Sequence, residues 1–301
     1  TNGENIDLKK YQHKPLTNNH VMANNLKILE VTTSFPRYKG DNFSVFIYEK
    51  VKALNKQGVE NDVLVPHDAC TPGTDEFDNI RIYRFTYFFS KRWHKLTYHY
   101  GVPENFKKSL LARVQVPFLI TAFIISTLRM GKNYHIIHAN WTLAGIGGLI
   151  ASKILKKPFV LTMHGAEIFK LKKHFLIGFL LNHTKNIIVN SQYTRETIEH
   201  LYNIHPNRLT VLPFGVEKKA DPSDFKKPAF WYDRFSIPPG GRVIFSLGRL
   251  VERKGFIYLL KAFRELEKKH QDLYLVMGGD GPEKTALARY IRSNHIKNVH
   301  L

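Results

Sequence analysis

Cysteine is almost absent and acidic residues are scarce. A single Cys70 in 301 residues excludes an internal disulfide, makes no zinc site by itself, and fits a reducing compartment. Asp and Glu number 25 against 45 Lys and Arg, a formal net charge of +20. Such a field attracts polyanions, acidic lipid head groups or phosphorylated substrates, and it carries no information about fold. No apolar run reaches the ~18 residues of a membrane-spanning helix. The nearest, Val116 to Leu128, predicts a buried or interfacial helix. Residues 1–25 lack the apolar centre of a secretory signal and read as a disordered tail or non-native extension. What is present is globular, with 43% hydrophobic residues, enough to build a core.

The hydrophobic pattern alternates strand with helix. "LKILEVTTSFP" opens with a buried strand, and Phe43, Phe46, Ile47, Val51 and Leu54 share one helical face. Gly58 stops that helix and "NDVLVP" is the next strand, completing a βαβ unit. "IRIYRF", "HIIHA", "FVLTMH", "KNIIVN" and "RLTVL" predict further strands, with helices at about 143–156 and 192–202. A second series follows: strand "RVIFSLG", helix 255–269, strand "LYLVMGG", helix 282–294, strand "NVHL". This pattern predicts an α/β chain with parallel sheets and helices on both faces. The expected parts are a tail (1–25), a first Rossmann-like domain (26–216), a Pro-, Lys- and Asp-rich linker (217–240) and a second domain (241–301). The second series stops after two and a half strand-helix units, so the expectation is a chain without its natural C-terminus.

In doubly wound sheets ligands bind beyond the carboxyl ends of the strands, where helix N-termini offer bare N–H groups. "SLGRLVERKGF" is such a place. Gly248 turns the chain, Arg249 leaves the strand end, and Lys254 arrives beside Gly255 at the helix start. A guanidinium and an ammonium there suit a diphosphate. The same residues also fit solvated charges in a polar turn.

"SLGRLVERKGFIYLLKAF" followed by "LYLVMGGDGPEKTAL" resembles the second-domain signature of the retaining family 4 glycosyltransferases, which have the GT-B fold: two Rossmann-like domains facing a cleft. "SFPRYKGDNFS", "HIIHANWTLAGIGGLIASKILKKPFVLTMHGAEIF", "IIVNSQYTRETI" and "LTVLPFGVE" resemble its first-domain motifs, in order. The resemblance implies that Arg249 and Lys254 bind the diphosphate of a nucleotide-sugar and stabilise its departure. It places His164, with Gly165 and Glu167, against the donor sugar. Gly40, Gly215, Gly248, Gly255, Gly278, Gly279 and Gly281 become donor-side turns, although turn-making alone also accounts for each. The donor would be a UDP- or GDP-sugar and the reaction a front-face displacement without a covalent nucleophile. No cofactor and no metal are implied, because basic side chains replace the metal.

The sequence departs from the family pattern in several places. Glu167 stands for the usual Asp, Asn140 for the second His of His-x-His, Phe214 for the Asn of Pro-Asn-Gly, and Asp41 for a second glycine. The family's two glutamates spaced eight positions apart are missing, which implies a hexosyltransferase inactive as this fragment.

From Arg81 to His135 ten Lys/Arg face one acid, Glu104, with aromatics interleaved. Arg81, Arg84, Lys91, Arg92, Trp93 and Lys95 form a candidate anionic-membrane or acceptor surface; equally, the aromatics could fill the core and the charges be solvated. The implied acceptor is lipid-linked or a polysaccharide, met by a monomer or weak oligomer peripheral on the cytoplasmic face of the membrane. The rival readings are a non-catalytic nucleotide-sugar or carbohydrate-binding protein and a basic nucleic-acid binder; no nucleic-acid-binding motif supports the second.

Overall fold

The computed structural model describes residues 26–41, 43–98, 101–165, 167–168, 174–215, 232 and 234–301. The expected tail and most of the expected linker lie outside these residues. The chain divides into two units, Thr1–Val216 and Glu217–Leu301.

The first unit runs β1 (Lys27–Val31), α1 (Val45–Lys56), β2 (Glu60–Pro66), β3 (Thr74–Phe77), β4 (Ile80–Phe85), α2 (Val102–Lys108), α3 (Leu110–Gly131), β5 (Ile136–Asn140) and α4 (Thr142–Leu155). It continues with β6 (Phe159–Met163), α5 (Phe175–His183), β7 (Asn186–Val189), α6 (Gln192–Tyr202) and β8 (Leu209–Val211). The strands form one eight-stranded sheet in the order β3-β4-β2-β1-β5-β6-β7-β8. The chain steps outward from β1 through β2 to β4, then returns to β5 on the other side. That reversal places a topological switch point between β1 and β5. Alternating residues feed two cores. Leu29 and Leu161 join Phe123 of α3 and Leu180 of α5 on one face, while Val63, Val65 and Ile82 join Ile47 and Val51 of α1 on the other.

Two expectations are corrected here. The sheet is not wholly parallel, because β3 pairs antiparallel with β4. Asp78 and Asn79 turn this hairpin with φ of 54° and 58°, the left-handed pair that a tight two-residue hairpin needs. The "DN" dipeptide was its only sequence signal. The apolar helix is also longer than the run Val116–Leu128. α3 spans 22 residues, long and apolar enough by length and composition to cross a membrane. Arg113 and Gln115 interrupt the apolar run but not the helical stripe Ala112, Gln115, Leu119, Phe123, Thr127 and Gly131, all buried. α4 packs on that stripe at Gly147, where a Cβ would fall 2.4 Å from Phe123 Cβ.

The second unit contains β9 (Arg242–Leu247), α7 (Phe256–Glu267), β10 (Leu273–Gly278), α8 (Lys284–Ser293) and β11 (Val299–His300). Its three strands are parallel, in the order β11-β10-β9. Phe256, Leu260 and Phe263 of α7 and Leu287 of α8 bury one sheet face together with Leu275 and Met277. Phe245 and Leu247, at the intervening positions of β9, are 50% and 74% exposed.

Candidate active site

At the switch point of the first unit lies a cluster of buried polar side chains. Glu30 of β1 is fully buried and in register with His138 of β5. Its Oε1 accepts from Lys50 Nζ of α1 and from Asn140 Nδ2 at the end of β5. Its Oε2 lies 3.2 Å from His138 Nδ1, and His138 Nε2 lies 2.7 Å from Thr162 Oγ1 of β6. Burial alone would raise the Glu30 carboxyl, but His138 and the Lys50 ammonium hold it well below the usual carboxylate range. Burial lowers His138 in turn.

His164 follows β6 directly and joins the cluster through its Nε2, 3.1 Å from Asn140 Oδ1. Three aromatic rings enclose it: Trp141 at 4.2 Å, Phe46 at 5.0 Å and Phe214 at 5.5 Å between centroids, the last stacked at 12°. Burial, helped by the Lys50 charge, pushes its pKa down to about 3, so the imidazole is neutral at physiological pH. Nδ1 is enclosed and has no hydrogen-bond partner among the described residues. The Asn-to-Phe departure at Phe214 thus supplies a stacking wall for His164.

Glu167 sits across from the start of α4. That helix has no cap of its own: Trp141 occupies the N-cap position at φ 73°, ψ 157°, a region essentially reserved for glycine and costing on the order of 1–3 kcal/mol. Glu167 Oε1 accepts from Thr142 N and so places an anion at the positive end of the helix. Its carboxylate is enclosed even though the residue keeps some surface. Burial pushes its pKa up to about 7 against the hydrogen bond from Thr142 N. Oε2, Trp141 Nε1 and Thr142 Oγ1 are enclosed without partners among the described residues.

The first loop departs from the family pattern for a structural reason. Asp41 is 8% exposed and binds Arg37 bidentately, Nε to Oδ2 at 2.7 Å and Nη2 to Oδ1 at 3.1 Å. Gly40 has φ 90°, whereas Gly215 lies in open space with no atom within 4 Å of a built Cβ.

In the second unit Arg249 and Lys254 are both exposed, on either side of the turn joining β9 to α7. A short 3-10 turn, Glu252–Lys254, precedes the helix, and Gly255 caps it at φ 69°. The loops after β9 and β10 zip together: Gly248 N bonds Gly278 O at 3.0 Å and Leu250 N bonds Asp280 O at 2.9 Å. A Cβ on Gly279 would lie 1.9 Å from Gly248 O, and one on Gly281 2.4 Å from Leu250 O. Both glycines are therefore required by backbone approach alone, before any ligand is considered. Gly278 and Gly248 have milder constraints, against Leu247 at 2.9 Å and the Phe256 ring at 3.4 Å.

The candidate membrane residues do not act as one group. Arg84 is 6% exposed and spends its guanidinium on Pro36 O and Tyr98 Oη, so it reaches no surface. Arg81 is tied to Glu60 and Asp62 beside a cavity of about 790 Å³ lined by Asn61, Asp78 and Asn79. That cavity sits at the amino end of β2, away from the switch point. Lys91, Arg92, Trp93 and Lys95 do share an exposed loop. It is held to α3 by Gln115, which donates to Trp93 O at 2.7 Å and accepts from Lys95 N at 2.9 Å.

Glu30 and Lys50 carried no motif, and His138 stood only as the first His of the His-x-His pattern that Asn140 interrupts. The one other sequence signal was an acid inside the otherwise apolar strand "KILEV".

Residues 44–219 match the family model described as Glycosyltransferase Family 4, and residues 230–301 that of Glycosyl transferases group 1. The chain is 23% identical over 279 residues to the putative teichuronic acid biosynthesis glycosyltransferase TuaC of Bacillus subtilis, covering 88% of this chain and 68% of TuaC. It is 25% identical over 183 residues to the 2-deoxystreptamine N-acetyl-D-glucosaminyltransferase of Niallia circulans, covering 56% of this chain but only 46% of that enzyme. Among solved structures it is similar in fold to Anabaena Alr3699/HepE in complex with UDP and glucose, with TM-score 0.62, 17% identity, and 91% of this chain and 68% of that one covered. It is likewise similar to the sucrose-phosphate synthase of Thermosynechococcus elongatus, with TM-score 0.64, 18% identity, and 91% and 69% covered.

Proposed function

The chain belongs to glycosyltransferase family 4 and has the GT-B fold, and from that premise we propose that it moves a sugar, with retention, from a nucleoside-diphosphate sugar to a membrane-associated glycan or lipid-linked acceptor. The observation that carries this reading is the turn between β9 and α7. Arg249 and Lys254 stand exposed at the carboxyl end of a parallel strand and at the start of a helix. There the first N–H groups lack intrahelical partners and the helix dipole favours an anion. A diphosphate docked there meets a planar guanidinium fork and a point charge. As the sugar–phosphate bond breaks, the same two cations stabilise the charge gathering on the leaving diphosphate, without a metal. For the first unit, the family resemblance supports a role for His164 and Glu167 in meeting a sugar. HepE was solved with UDP-glucose, which favours the uridine arm of a UDP-or-GDP choice.

The acceptor side rests on α3. Leu110, Val114, Phe118 and Ile125, 75%, 51%, 46% and 43% exposed, follow one another at helical spacing on its outer face. Phe88 links this stripe to the basic loop, touching Phe118 at 5.2 Å and Phe89 at 4.7 Å. An apolar stripe beside Lys91, Arg92, Lys95 and Arg113 suits the interface of an anionic bilayer, which would make the protein peripheral on a cytoplasmic membrane face.

The test is to incubate the full-length protein with labelled UDP- and GDP-hexoses and a membrane extract. Label appearing in glycan or lipid supports transfer, and binding of donor without transfer supports the non-catalytic reading. For the surface, vesicles of phosphatidylglycerol and phosphatidylcholine are compared by co-sedimentation; equal binding to both removes the anionic-membrane assignment.

A further inference from the structure

Asn140 lies between two opposite charges. On one side its side-chain amide meets the Glu30 carboxylate, and on the other its Oδ1 lies 3.5 Å from the Lys50 ammonium. A carboxylate only accepts and an ammonium only donates. Turning the amide over would set oxygen against oxygen at Glu30 and N–H against N–H at Lys50. The ion pair therefore dictates which way Asn140 points, a choice otherwise left to the surrounding hydrogen bonds. With Nδ2 facing Glu30, Oδ1 is the atom left to face His164 Nε2, at 3.1 Å. An oxygen that only accepts needs a hydrogen on that nitrogen.

We propose that Glu30, Lys50 and Asn140 are positioning residues that hold His164 as its neutral Nε2–H tautomer, leaving Nδ1 as the acceptor for a hydroxyl of the sugar. The tautomer follows from the cluster alone; the hydroxyl rests on the glycosyl-transfer reading. Among the described residues Nδ1 is the polar ring atom of His164 left without a partner, so any hydroxyl that meets it there must donate to it. The substitution of Asn for the second His of the family pattern gains a purpose here. A carboxamide between two fixed charges has one stable orientation, whereas an imidazole at that position would have two tautomers of its own to resolve.

The experiment reads the tautomer directly. Intact protein carrying 15N-labelled histidine is studied at neutral pH by two-bond 1H–15N correlation, and the His164 signals are assigned by their loss in His164→Gln. The wild type should show the Nε2–H pattern alone. Glu30→Gln, which keeps shape but can present oxygen or nitrogen to Asn140, should shift the His164 nitrogens toward a mixture of tautomers. Asn140→Leu, which removes the oxygen, should do the same. A wild-type His164 protonated on Nδ1 or on both nitrogens overturns the proposal, and so does a pure Nε2–H pattern that persists in Asn140→Leu, whatever Glu30→Gln shows. If the tautomer behaves as expected while no sugar is transferred from any donor, the positioning device stands and the functional reading falls instead.

Discussion

The two units place polar residues at the carboxyl ends of parallel strands, and they treat charge in opposite ways. In the first, Glu30, His138 and Asn140 are buried and Lys50 closes on Glu30. In the second, Arg249 and Lys254 stand exposed on a glycine-bounded turn. Paired charges in a low-dielectric interior fix geometry, and removing one partner is costly. Exposed cations add little to stability. The comparison sets charges locked in a buried cluster against charges held at a surface turn.

The largest effect should come from breaking the buried pair. Lys50→Met leaves Glu30 charged and enclosed, and urea unfolding should show a loss of about 3 kcal/mol, the low end for such pairs because Lys50 is partly exposed. Its counterpart in the second unit, Lys254→Ala, should leave stability within ~0.5 kcal/mol yet cost transfer by about 100-fold, as loss of a preorganised electrostatic donor does. If the two variants exchange these phenotypes, the division of labour is wrong.

A smaller effect tests packing in the first unit. Gly147→Ala drives a Cβ to within 2.4 Å of Phe123 Cβ, and overpacking of that kind destabilises by roughly 1–3 kcal/mol, measurable by thermal melting. Gly215→Ala meets nothing within 4 Å and should stay within ~0.5 kcal/mol of wild type; a change in donor affinity there would point to a ligand contact.

Glu167 gives a pH signature. Its folded pKa, about 7, lies above the ordinary 4.5. Between those values the folded state holds a proton that the unfolded chain has released, so this group's contribution to stability falls as pH rises through the window. Glu167→Gln keeps an acceptor for Thr142 N and removes the titration. Unfolding free energy measured from pH 4.5 to 7 should lose a decline on the order of 2 kcal/mol relative to wild type. Identical pH profiles would place the Glu167 carboxyl in water.

The fold was legible because it follows from local pattern. The helical face Ile47/Val51 and the helix Gln192–Tyr202 appear where periodicity predicts them. β3 leaves almost no hydrophobic signal because its four residues alternate in exposure, and α3 extends beyond the apolar run because the polar Gln115 that precedes it is a buried anchor for the basic loop. The second-unit site was visible as a contiguous motif, since turn and cations lie within seven residues. The first-unit cluster was not. Glu30, Lys50 and His138 come from β1, α1 and β5, and only the β1–β5 register and the return of α1 unite them. His164 was found through its motif, but its neutral state and its tie to Asn140 depend on tertiary burial that no single stretch of sequence encodes. Arg84 misled for the same reason: its charge suggested a surface, and its partners keep it in the core.

The claim on which the rest depends is that the β9–α7 turn holds a nucleoside diphosphate. Calorimetric titration at low salt with UDP and with uridine, on the wild type and on Lys254→Ala and Arg249→Ala, tests it most directly. The account predicts that UDP binds the wild type much more tightly than uridine, and that either substitution removes at least about tenfold of that difference, the worth of one charge-assisted hydrogen bond. Unchanged UDP affinity in both variants would contradict it.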